Sequence, residues 1–170
     1  MSAPAANVSV WMGERLVCVK ITGRANFTCS VDFKALMHRL WDKGQRRFVL
    51  DLTDCLLMDS TFLGVLAGFS QKLTTPGNAG PTGCLELVNA NPRILDLLEN
   101  LGIAHLFKLV QHAPVSTDQM QAVAQKPSDP DRKEVTKLCL EAHETLMAIN
   151  PANVSKFKDV AKFLAEDLQK

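Results

Sequence analysis

Apolar and polar residues alternate through Val8, Val10 and Met12, and again from Leu16 through Val17, Val19 and Ile21, with Gly13-Glu14 between the two runs. A period of two interrupted by a turn dipeptide predicts a β-hairpin. Gly23-Arg24-Ala25-Asn26 reads as the break that ends it. The period then becomes helical: Phe33, Leu36, Met37, Leu40 and Trp41 share one face, with Ser30 as candidate N-cap and Gly44 as the stop. Arg47 to Leu52 is a short, continuous apolar run, the mark of a strand covered on both sides. A short loop leads to Asp59-Ser60-Thr61, and Phe62, Leu63, Leu66, Phe69 and Leu73 continue at helical spacing to Pro76-Gly77. Gly64, Ala67 and Gly68 lower the helix propensity of this stretch but let a neighbour approach closely. Leu85, Leu87 and Val88 predict the next strand. Asn91-Pro92 is an N-cap followed by proline at the first helical position, ahead of Ile94, Leu95, Leu97, Leu98 and Leu101. Gly102 ends that helix, and Leu106 to Val110 forms a last strand.

The order is strand, strand, helix, strand, helix, strand, helix, strand. It predicts an α/β domain over residues 7–111, a mixed β-sheet with one face under helices and the hairpin as its antiparallel edge. Residues 112–130 turn to Gln, Ser, Asp and Pro and read as a linker, with a helical turn around Gln119 to Ala124. Ser128-Asp129-Pro130 then opens a two-helix extension over 131–170. Its stripes are Val135, Leu138, Cys139, Ala142, Leu146 and Ile149, then, past Asn150-Pro151, Phe157, Val160, Ala161, Leu164 and Leu168. Each stripe has to be buried on the other, on the α/β body, or on a second chain, which makes the extension either a domain-packed pair or a route to a homodimer or partner.

Composition narrows the function classes. The 170 residues are 46% hydrophobic and 22% charged, with a net charge of +1 and no tyrosine. Neither a basic surface nor stacking aromatics point to nucleic acid. No apolar run reaches the ~20 residues that span a bilayer, and Met1 to Ala6 lacks the features of a secretory signal. The five cysteines (Cys18, Cys29, Cys55, Cys84 and Cys139) are odd in number and widely spaced, as expected of free thiols in a reducing cytoplasm.

Candidate chemistry is sparse. His38, His105, His112 and His143 form no metal-binding pair, and there is no C-x-x-C. His38 sits beside core positions of its helix, and His143, next to Glu144, reads as solvated. No glycine pattern fits a phosphate-binding loop, and Ser60 lacks the G-x-S-x-G of a nucleophile elbow. The expectation is therefore a protein without enzymatic activity, metal or cofactor. Asp59-Ser60-Thr61 remains, at a helix start, where Ser60 serves as a cap, as a phosphate acceptor, or as both.

Asp51-Leu52-Thr53-Asp54, Met58-Asp59-Ser60-Thr61, Leu63-Gly64 and Leu66, at the end of a strand within this order of elements, resemble the STAS domain of anti-sigma-factor antagonists. The resemblance runs from about Val8 to Val110. Asn91-Pro92-Arg93-Ile94-Leu95 to Leu101-Gly102-Ile103 is similar to the family's penultimate strand–helix–strand segment. It implies a STAS-like fold and a cytoplasmic regulator that works by partner switching. An anti-sigma factor that is also a serine kinase phosphorylates the serine after the motif aspartate, here Ser60 with Thr61 as fallback. The unphosphorylated antagonist sequesters the anti-sigma factor, and a serine phosphatase resets it. Partner contacts are implied at Arg24, Asn26, Asp59, Thr61, Phe62 and Leu63.

Two positions depart from the family. Phe62 replaces the usual glycine, which either narrows kinase access or supplies an apolar anchor. Gly23-Arg24-Ala25-Asn26 replaces the usual Gly-Glu-Leu-Asp, which makes Arg24 a phosphate partner or a solvated loop charge. The alternative is a soluble STAS subunit of a membrane, lipid-exporting transporter assembly, in which Ser60 serves docking or capping.

Overall fold

The computed structural model describes residues 6–75, 85–115, 117–123 and 131–170. The chain runs through β1 (Asn7–Met12), β2 (Val17–Ala25), α1 (Phe27–Asp42), β3 (Phe48–Asp51), β4 (Cys55–Met58), α2 (Ser60–Thr74), β5 (Leu85–Val88), α3 (Pro92–Asn100) and β6 (Phe107–Val110). Then come β7 (Gln121–Ala122), α4 (Arg132–Ile149) and α5 (Val154–Leu168). The sheet order is β6-β5-β3-β2-β1-β7, with β4 pairing the far end of β2. β1 is antiparallel to both its neighbours, and the other pairs are parallel.

Alternation along the strands sorts side chains between two faces. Val17, Val19 and Ile21 of β2, Phe48 and Leu50 of β3, and Leu85 and Leu87 of β5 join the main core. Phe33, Leu36, Met37 and Leu40 of α1, Phe62, Leu63, Leu66 and Leu73 of α2, and Ile94 and Leu98 of α3 close it from one side. The intervening residues Cys18, Val49 and Val88 form a second cluster with Val115, against which Trp11 and Met120 pack. The mixed α/β fold with helices on one face and a helical extension is as expected. The segment after β6 does more than link: it covers the second face with Val115 and adds β7 to the β1 edge, where the Val123 amide donates to the Val8 carbonyl at 2.8 Å.

Several boundaries differ from the sequence reading. β2 does not stop at Gly23 but continues to Ala25 across a bulge, with Gly23 at φ +83°. The stretch read as a loop before Asp59 holds β4, which exists because that continuation offers it a partner. α1 starts at Phe27, capped by Asn26 whose Oδ1 accepts from the Thr28 amide at 3.0 Å. Ser30 lies inside the helix and donates to the Asn26 carbonyl at 2.8 Å. The turn expected around Gln119 to Ala124 is a 3-10 turn at Thr117–Gln119 followed by β7, and Ala124 lies outside the described residues. So do Pro76-Gly77, Cys84 and Ser128-Asp129-Pro130. α4 is capped by Asp131. Asn91 caps α3 as expected, with proline at the first turn.

Candidate functional site

β4 delivers the chain to Asp59, whose amide donates to the Ala25 carbonyl at the end of β2 at 3.0 Å. Asp59 is extended (φ −92°, ψ 173°) and is itself the N-cap of α2: its Oδ1 accepts from the Phe62 amide at 2.8 Å. Its Oδ2 accepts from the Phe27 amide, the first residue of α1, at 2.7 Å. One carboxylate thus joins the starts of two helices, and its charge faces the positive end of both. The reading of Ser60 as a cap is corrected here. Ser60 is already the first helical residue, one position too late to reach the N3 amide, and its hydroxyl is free for another contact.

That contact comes from the extension. Ser60 Oγ lies 2.9 Å from His143 Nε2 on α4, and His143 Nδ1 lies 2.6 Å from the Cys139 carbonyl oxygen. A carbonyl only accepts, so Nδ1 carries a proton, and in the neutral imidazole Nε2 accepts from the Ser60 hydroxyl. One turn away, Thr61 Oγ1 donates to Cys139 Sγ at 3.5 Å. His143 is only 6% exposed, and its ring rests on Phe157 of α5 with centroids 4.9 Å apart. The expectation of a solvated His143 therefore fails, because α4 lies across α2 with this face inward. A methyl group built on Gly64 would stand 2.5 Å from the Ala142 carbonyl oxygen and 2.7 Å from its Cβ. Glycine at this crossing is what lets the two helices touch. Burial raises the Cys139 thiol, an effect the Thr61 hydroxyl opposes and the Asp59 charge reinforces.

The residues singled out from the sequence are not all at the surface. Arg24, Asn26, Asp59 and Ser60 keep solvent exposure, and Asn26 and Asp59 spend their polar atoms on helix starts. Among the described residues the Arg24 guanidinium makes no ion pair. Thr61 is 4% exposed, under α4. Phe62 is 1% exposed and packs on Phe33 at 4.7 Å between ring centroids, and Leu63 is equally buried. Both side chains serve the core; the ring of Phe62 neither narrows the approach to Ser60 nor reaches outward. The sequence reading missed His143 and Cys139. Their signal was spacing, since His143 follows Cys139 by four residues and so shares the apolar face. It also missed Phe27 and Leu56, large apolar side chains 47% and 52% exposed at the first turn of α1 and on β4.

Ser60 and His143 have the spacing of a nucleophile and its base. The amide that would stabilise an oxyanion at this helix start, that of Phe62, is taken by Asp59, and the carboxylate opposes negative charge there. No group of three or more metal-ligating side chains occurs among the described residues, and no helix among them is long and apolar enough to cross a membrane.

Comparison with known proteins bears on this arrangement. Residues 12–114 match the profile of the STAS domain. The chain belongs to the STAS family. The match stops before α4, so the helix lying over Ser60 is outside the part that defines the STAS domain. No curated protein matches the chain. Solved structures with the same fold include an anti-sigma factor antagonist from Mycobacterium paratuberculosis, with a TM-score of 0.53 at 17% identity over 68% of this chain and 91% of that one. The anti-sigma factor antagonist SpoIIAA in its unphosphorylated form gives 0.53 at 15% identity, over 62% of this chain and 89% of that one. The Bacillus cell fate determinant SpoIIAA in its phosphorylated form gives 0.50 at 16% identity, over 62% and 92%. In all three comparisons about a third of this chain has no counterpart in the other.

Proposed function

We propose that this STAS protein is a non-enzymatic, cytoplasmic regulator: an anti-sigma-factor antagonist that works by partner switching, with Ser60 as the phosphate acceptor. One observation carries the reading. Asp59 does the capping of α2, which leaves the Ser60 hydroxyl at the first helical position without a structural duty toward its own helix. A phosphate there sits at the positive end of α2, which offsets part of the repulsion from Asp59, and adds about −1.5 to −2 charge to the edge a partner would meet. Exposed Arg24, Phe27 and Leu56 around the same end of the sheet offer a cation and apolar area to that partner. A protein of this fold, SpoIIAA, exists in a phosphorylated form.

Incubation with the cognate serine kinase, followed by mass spectrometry, tests the proposal. Phosphate is expected on Ser60, removed again by a serine phosphatase, and Ser60→Asp is expected to abolish binding of the anti-sigma factor. Phosphate on neither Ser60 nor Thr61, or co-purification with an ATPase and permease in place of an anti-sigma factor, overturns it.

A further inference from the structure

The face of α2 that carries Ser60 is covered by the chain's own α4, and the covering is unlike the rest of the core. At its centre are small residues, Gly64 against Ala142, where the sheet side of α2 uses Phe62, Leu63 and Leu66. Beside this crossing a groove of about 230 Å³ stays open between α1, α2 and α4, lined among others by Met37, His38, Gly68, Leu138 and Thr145. The ion pair from α1 to α4, Lys34 to Glu141 at 3.3 Å, is exposed on both sides, where such pairs hold little. This half of α4 also buries Thr136, Leu138 and Ala142, pairs Arg132 with Asp167 of α5 at 3.5 Å, and makes two polar contacts to α2, Ser60 to His143 and Thr61 to Cys139.

The other end of α4 is held differently. Leu146 is fully buried in the main core. The buried Asn153 donates to the carbonyls of Leu101 and Leu146, both at 2.9 Å, and Lys156 Nζ donates to the Asn100 carbonyl at 2.7 Å. These donors satisfy the last carbonyls of α3, so the α4–α5 corner is anchored to the domain.

We infer that α4 is a pivoting cover: anchored at its Leu146 end, it occupies in cis the α2 face on which the partner docks, and its Cys139–His143 segment lies down only while Ser60 is unmodified. The inference rests on the proposed role of Ser60. The coupling follows from hydrogen-bond chemistry. His143 Nε2 accepts the hydroxyl proton of Ser60. Esterification of that oxygen replaces the proton with a phosphoryl group, for which the 2.9 Å contact between Oγ and Nε2 has no room, and places a dianion beside the Asp59 carboxylate. Modification of Ser60 and closure of the cover therefore exclude each other. By linkage, whatever lifts the cover makes Ser60 a better kinase substrate and bares the docking face by the same factor, and the phosphate then left on the bared face is the charge that rejects the partner.

Cys139 reports the cover directly, since its thiol faces Thr61 in the closed form. The full-length protein, Gly64→Ala and Ser60→Asp are each treated with iodoacetamide, and the alkylation rate of every cysteine is followed by mass spectrometry, with the buried Cys18 and Cys55 as controls against global unfolding. Gly64→Ala places a methyl group against α4 while favouring the α2 helix, and Ser60→Asp puts a larger, charged group into the 2.9 Å contact with His143. Both are expected to speed alkylation of Cys139 about tenfold, within the usual range for coupled sites, with Cys18 and Cys55 unchanged. Equal protection of Cys139 in the wild type and both variants overturns the inference and makes α4 a fixed part of the core. If Gly64→Ala unfolds and exposes all the thiols, Ser60→Asp decides alone. Cys139 release without kinase labelling of Ser60 defeats the proposed function and leaves the cover standing. Labelling of Ser60 with Cys139 still protected does the reverse.

Discussion

Replacing Asp59 tests whether one carboxylate holds two helix starts. In Asp59→Ala, α2 loses its cap, a loss of about 1 kcal/mol. The Phe27 amide loses a charged acceptor; because that site is exposed, water replaces part of the bond and the loss is again about 1 kcal/mol. The charge also faces two helix dipoles, each contributing roughly 0.5 kcal/mol. Together these predict about 3 kcal/mol, or a fall in Tm of about 6–12 °C for a chain of this size. Asp59→Asn behaves differently. Asparagine caps as well as aspartate, so that variant should lose about 2 kcal/mol or less. Its gap from wild type should shrink in 1 M salt, where screening acts over about 3 Å. Urea unfolding followed by far-UV circular dichroism and by the fluorescence of buried Trp41 gives both numbers. A loss under about 0.5 kcal/mol for Asp59→Ala, the range of an ordinary surface change, refutes the two-helix role. Equal losses for alanine and asparagine, with no salt dependence, refute the partition between cap and charge.

Two further outcomes follow from burial. Leu146→Ala should cost about 2–5 kcal/mol although it lies in the extension, because the side chain is fully buried in the main core; a loss near that of a surface leucine in urea melts would show that α4 does not belong to this core. Burial pushes the Cys18 and Cys55 thiols up to about 11, and the neighbouring Asp51 adds to the rise at Cys18. A thiol raised in the folded state contributes stability that is complete below its ordinary value of 9.0 and is lost as pH rises toward 11, so urea midpoints should hold from pH 7 to about 8.5 and fall between about pH 9 and 11. Midpoints flat across that window in both the wild type and Cys18→Ser would show that neither thiol is shielded from water.

Much of the fold was legible because its signals are local. Val17, Val19 and Ile21 announce their strand by period two, and Asn91-Pro92 announces α3 by cap chemistry alone. β4 escaped because four residues between Asp54 and Asp59 are too few to show a period, and its pairing depends on a bulge in β2 that frees the strand end. The cap of α2 was ambiguous by one position, since aspartate and serine are both good caps and only the backbone shows which is extended. Phe62 looked like an obstacle near Ser60 because its departure from the family pattern is visible, while its partner Phe33 is not. His143 was misread for the same reason: its neighbour in sequence is Glu144, whereas its neighbour in space is Ser60, 83 positions away. Site chemistry that depends on one helix crossing another leaves little trace in the spacing of either.

β7 sets how any partner must compete. Its pairing with β1, extended by the Val123 amide on the Val8 carbonyl, fixes the chain at residue 123, and α4 begins at its cap Asp131. Seven residues, 124–130, lie between. At full extension they reach roughly 25 Å, and the far end of α4 is held at the α3 corner. A lifted cover therefore stays near its seat at an effective concentration in the millimolar range. At about 1 mM, helices that would bind as separate peptides with a Kd of only about 10 µM are seated in roughly 99 of 100 molecules. An incoming protein has to be tight or abundant before the seat is free, since a charge on Ser60 that lifted the cover would also repel that protein.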